Sequence, residues 1–150
     1  INGQKICRVE TPFKALAQLK MNGSVPLPYD FMVSGIYQDL PGQTIESAWA
    51  SPMATNSNTL GRSLVSGTTF SVPLIAPMTV FEDRIRRVDL RLTKYINLTS
   101  KMRLQANLDV YNAFNNNAVQ TINTAFGSSF MTPVTVLDPR LFQISGMLTF

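Results

Sequence analysis

Two runs of strict alternation, 87–98 and 102–111, separated by only three residues, constrain this chain more than any other feature. In the first, Val88, Leu90, Leu92, Ile96 and Leu98 fall on one face, and Arg87, Asp89, Arg91, Thr93, Tyr95 and Asn97 on the other. Lys94 is the exception. In the second, Leu104, Ala106, Leu108 and Val110 oppose Gln105, Asn107, Asp109 and Tyr111. A period of two is the signature of a β-strand with two unlike faces. A hairpin turn centred near Ser100 sets Arg91 against Asp109, Thr93 against Asn107, Leu90 against Val110 and Leu92 against Leu108. A slip of one residue would throw the charges onto the aliphatic face, so the register is specified.

Three further segments alternate. They are 13–22, 31–40 and 141–150, which with 87–98 and 102–114 make five expected strands. In the last, Phe142, Ile144, Gly146, Leu148 and Phe150 oppose Gln143, Ser145, Met147 and Thr149. Connections 23–30 and 99–101 are short, whereas 41–86 and 115–140 are long and rich in Ser, Thr, Asn, Gly and Pro. Short turns alternating with long loops is how outer-membrane barrels are strung. Three of the expected strands reach the nine to eleven residues that a tilted membrane-crossing strand needs.

Composition fits that architecture. Hydrophobic residues make up 45% of the 150 and charged ones only 15%, against about a quarter charged in average globular chains. A shortage of charge suits a protein whose apolar surface faces something other than water. The net charge is +4, and the densest basic stretch, 83–94, places its arginines on one strand face, which argues against a nucleic-acid patch. There is no histidine and a single cysteine, Cys7, so triads, metal clusters and disulfide frameworks are excluded. The chain is expected to be no enzyme and to carry no cofactor. Glu82 and Asp83 beside Arg84, Arg86 and Arg87 could bind a ligand, but a solvated loop base is the favoured expectation. Among loop aromatics, Trp49, Phe126 and Phe130 are the candidates for stacking on a ligand.

The stretches "GSVPLPYDFMVSGIYQDLPGQ", "LGRSL", "DRIRRVDLRLTKYINL", "MRLQANLDVYNAFNNNAVQTINTAFG" and "LDPRLFQISGMLTF" occur in that order from about residue 10 onward. In pattern and spacing they resemble the C-terminal barrel of TonB-dependent outer-membrane receptors. The likeness is to the large acidobacterial type that carries a carboxypeptidase-regulatory-like domain. The resemblance implies an all-β fold: the last five antiparallel strands of a 22-stranded transmembrane barrel, with the plug and the TonB-contacting region upstream. It implies uptake of a scarce ligand across the outer membrane, with TonB, outer-membrane lipid and the barrel-assembly machinery as partners. The ligand is not legible. The alternation Phe142, Ile144, Gly146, Leu148, Phe150 would be the assembly signal. Arg87, Asp89, Arg91, Thr93, Gln105, Asn107 and Asp109 would face the lumen, and Val88, Leu90, Leu92, Leu104, Leu108 and Val110 the lipid. Loops 41–86 and 115–140 would be extracellular, and 23–30 and 99–101 periplasmic. An arginine at Leu108 would then be costly and one at Asn107 mild. The first residue is Ile1 and the last Phe150, from which a cut N-terminal end and a natural C-terminal end are expected.

Two other classes remain open. Five strands cannot close a barrel, and their exposed edges could drive self-association into filaments. A water-soluble β-sandwich would use the aliphatic faces as its core.

Overall fold

The computed structural model describes residues 8–52, 61 and 69–150; Cys7 and all of the "LGRSL" stretch except Gly61 lie outside them. The described residues are mostly β, with almost no helix. The elements are a single helical turn, α1 (Phe13–Leu16), and nine strands: β1 (Leu19–Leu27), β2 (Phe31–Leu40), β3 (Ala48–Pro52), β4 (Thr69–Pro73), β5 (Ile85–Asn97), β6 (Arg103–Tyr111), β7 (Val119–Ile122), β8 (Pro133–Val136) and β9 (Leu141–Thr149). Among the described residues no helix is long and apolar enough to cross a membrane.

Contacts divide the chain into two units. One holds the five-stranded sheet, in the order β1-β2-β5-β6-β9. Every neighbouring pair in it is antiparallel. The sheet is open: β1 and β9 each leave one edge without a partner strand among the described residues. Across the β5–β6 hairpin, Leu90 stands opposite Val110, Arg91 opposite Asp109, Leu92 opposite Leu108 and Thr93 opposite Asn107, the register that the alternation specifies.

The first strand is where expectation and structure differ most. Residues 13–16 form the helical turn, closed by the Ala15 N–H donating to the Pro12 carbonyl at 2.9 Å. Lys, Ala and Leu are good helix formers. The strand then runs through 23–27, which the sequence suggested was a connection because it holds Gly23 and Pro26. Both lie in β1, the outermost strand of this sheet among the described residues. The reversal is confined to 28–30, where Tyr29 (φ 63°) and Asp30 (φ 58°) are left-handed.

The other unit contains the two long connections. They are not featureless loops: 41–86 contains the β3–β4 hairpin, and 115–140 contains the β7–β8 pair. Gly42 is packed so closely that a Cβ there would lie 2.1 Å from the Glu82 carbonyl oxygen. The Glu82 N–H donates to the Gln43 carbonyl and the Ile45 N–H to that of Val80, both at 2.9 Å. The Gln43 side-chain oxygen accepts from the Ile122 N–H at 2.8 Å.

Candidate functional site

The two faces of the five-stranded sheet differ chemically, and along β5 and β6 their burial is the reverse of a water-soluble sheet. On one face the register aligns Val25, Val33, Leu92, Leu108 and Ile144 in a row across all five strands. These side chains are bare: Leu92 is 38% exposed, Leu108 40% and Ile144 84%. On the other face, Thr93 is 0% exposed, Asp109 3% and Asn107 9%. Water-soluble domains bury Leu and Ile and expose Asp and Asn.

The polar face is a connected ladder. Arg91 grips Asp109 through two parallel contacts, Nε to Oδ1 and Nη2 to Oδ2, the latter 3.1 Å. Such a fork fixes orientation as well as charge. Arg87 Nε donates to Asp89 Oδ1 at 2.8 Å and its guanidinium lies 5.9 Å from the Tyr111 ring. Thr93 Oγ1 donates to Asn107 Oδ1 at 2.9 Å, and Gln105 Nε2 donates to the same oxygen at 3.0 Å. Asn107 Nδ2 then reaches Ser145 Oγ on β9 at 3.3 Å. Arg87, Asp89, Arg91, Thr93, Gln105, Asn107 and Asp109 are therefore brought together on one face. Asn107 holds Thr93, Gln105 and Ser145, so an arginine there breaks three contacts and cannot be the mild change expected of it. Leaving Thr93 buried without its acceptor alone costs about 1–3 kcal/mol.

At the end of β6 the asparagine cluster ties the sheet off. Asn112 is 2% exposed and left-handed, at φ 48°, a conformation that Asn adopts more readily than most residues. Its N–H donates to Asp89 Oδ1 at 2.8 Å. Its Nδ2 donates to the carbonyls of Asn116 and Asp138, each at 2.8 Å, while its Oδ1 accepts from the Asn116 N–H at 2.9 Å. Asn115 Oδ1 accepts from the Arg140 N–H at 3.0 Å, and Asn116 Oδ1 from Ala118 N–H at 2.9 Å. The strand ends at Tyr111, not at 114, because Asn112 turns the chain and clamps it to the start of β9.

Arg84 is a further correction. Its side chain is only 17% exposed. It donates to Asp39 Oδ1 at 2.7 Å, to the Asp39 carbonyl at 3.2 Å and to the Ala17 carbonyl at 2.7 Å. It straps the chain segment before β1 to the end of β2 and is no solvated loop base.

The remaining candidates divide. Phe142, Ile144 and Leu148 lie on the bare apolar face, opposite Val110, Leu108 and Leu104; Gly146 faces Ala106; Phe150 follows the strand and is 94% exposed. Trp49 sits on β3 opposite Val72 and is 38% exposed. A bridge between Ala48 and Ala125 brings it beside the segment that carries Phe126, which is 60% exposed. Phe130 is half-buried in a turn, its N–H donating to the Gly127 carbonyl at 3.1 Å. Compared with known proteins, the chain matches no family model, no curated protein and no solved structure.

Proposed function

We propose that the chain is a segment of a transmembrane β-barrel in a Gram-negative outer membrane, and that it belongs to a TonB-dependent uptake receptor. The observation that carries the membrane reading is the inverted burial: aliphatic side chains bare on one face, Thr93, Asn107 and Asp109 buried on the other. A bilayer accepts the first face and a wet lumen the second. Strand lengths agree, since β1, β6 and β9 have nine residues, β2 ten and β5 thirteen. On this topology the Pro28–Asp30 and 98–102 turns are periplasmic and the two hairpin-bearing connections are extracellular. The receptor assignment rests on the sequence resemblance, and the ligand class stays open.

The sandwich alternative requires a second layer over the apolar face, which the exposure of that face weighs against. Self-association has one specific support, the unpaired edges of β1 and β9. Flotation separates the three. Association of the purified chain with lipid vesicles on a density gradient is expected. A monomer that stays in the aqueous fraction and unfolds cooperatively without detergent would sink the barrel reading. Fibres with a 4.7–4.8 Å axial spacing would establish self-assembly instead.

A further inference from the structure

Gly23 on β1 and Gly35 on β2 stand directly opposite each other, midway along the two outer strands of the apolar face. Together they open a shallow groove of about 450 Å³ walled by Met21, Val25, Val33 and Tyr37. Glycine inside a strand weakens it, and it usually marks a bulge, a bend or a place where another molecule approaches closely. A bulge does not apply. Pairing runs unbroken from Leu19–Asp39 to Leu27–Phe31, and neither glycine has a positive φ.

Two register pairs further along the same face, Leu27 meets Phe31 and Phe31 meets Lys94. Lys94 is the residue that breaks the aliphatic pattern of β5. Its ammonium donates to the Tyr29 carbonyl and lies 4.4 Å from the Phe31 ring centroid. Among the described residues no carboxylate comes within ion-pair distance of it. Arg86, at the opposite end of the same strand face, does have one, Asp39 at 3.8 Å. A lysine held among aromatic and aliphatic groups keeps donors free for a further acceptor, and a charge at an apolar boundary is costly until it is paired. From Gly35 to Phe31 is four residues, about 13 Å at strand rise.

We propose that this groove is a phospholipid site, with one acyl chain lying over Gly23 and Gly35 and the anionic phosphate on Lys94. The proposal rests on the membrane reading and adds to it a defined lipid position, at the turn end of the sheet.

The test uses the full chain reconstituted with phosphatidylglycerol or phosphatidylcholine, extracted in mild detergent and washed, with retained lipid phosphorus measured per chain. Gly23→Val is the groove variant. A Cβ at Gly23 meets nothing within 4 Å, and valine suits a strand, so it fills the groove without disturbing the sheet. Lys94→Gln is the headgroup variant, and Lys20→Gln, which faces Gln38 on the other side of the sheet, is the control. The wild type and the control are expected to retain phosphatidylglycerol stoichiometrically. Each site variant should weaken retention by about tenfold, the scale of one strong contact. Lys94→Gln should also abolish the preference over phosphatidylcholine. Unchanged retention in both variants, with all proteins still floating with vesicles, overturns the lipid site and leaves the membrane reading intact. A wild type that floats with neither vesicle overturns both.

Discussion

Leu108→Arg separates a lipid-facing sheet from a water-facing one, because the same substitution has a different cost in each. Leu108 lies mid-strand on β6, between Leu92 and Ile144, and is 40% exposed. If that exposed part meets water, the loss is limited to the buried remainder of a leucine, at most about 1–2 kcal/mol. The arginine stem, which packs along the same neighbours while its head reaches solvent, offsets much of this. If the face meets hydrocarbon, an arginine near the bilayer midplane costs about 2–4 kcal/mol. The control is Gln143→Arg, an exposed position on the polar face directly opposite Asp109, where a change within about 0.5 kcal/mol is expected. Unfolding free energies from denaturant titration in phosphatidylcholine vesicles give the difference. The result expected is Leu108→Arg destabilised by at least about 2 kcal/mol more than Gln143→Arg. Equal effects, or a difference below about 0.5 kcal/mol, refute the assignment of the aliphatic face to lipid.

Other perturbations test the polar face and the connections. Asn112→Ala removes three side-chain hydrogen bonds from a buried left-handed position. It should cost about 2–4 kcal/mol and open 113–118 to proteolysis, while Asn112→Gly, which relieves only the backbone, should recover about 1 kcal/mol of that. Asp109→Asn breaks the fork with Arg91. Because the Arg91 side chain is 46% exposed and can rehydrate, the loss measured by denaturant midpoint should be about 1–2 kcal/mol, below that of a fully buried pair. Gly42→Ala drives a methyl into the Glu82 carbonyl and should cost about 1–3 kcal/mol, with faster amide exchange at Ile45 and Glu82, whose N–H bonds lie beside it.

What was legible in the chain was whatever depends on a period of two. The hairpin register of β5 and β6 follows from matching charge to charge and aliphatic to aliphatic over a short turn, and β2 begins and ends at Phe31 and Leu40, the limits expected of it. What depends on context was not legible. Alternation at 13–17 is real, yet residues 13–16 form a helical turn of good helix formers; Gly23 and Pro26 look like breakers but sit within β1, the outermost strand of the sheet among the described residues. Arg84 and Asp39 are 45 residues apart, and no local pattern joins them. Asparagines 112, 115 and 116 announced an ending, yet their chemistry lies in reaching Asp138 and Arg140, beyond a connection of more than twenty residues.

Alternation is also blind to which face is inside, because the same ladder of Leu and Asn describes a core strand and a lipid-facing one. The three-dimensional arrangement breaks that symmetry by lining up all five aliphatic faces on one side. Thr93, Asn107 and Asp109, joined to Ser145 and Arg91, become the best-buried part of β5 and β6. In water such a sheet would hide the wrong half of its side chains. On the membrane reading proposed above, an apolar surround accounts for the leucines left bare and for the polar residues buried beside Arg91 and Gln105. On that reading Lys94 is informative: a cation on the lipid-facing side calls for an anion that arrives with the hydrocarbon, which is the lipid site proposed above.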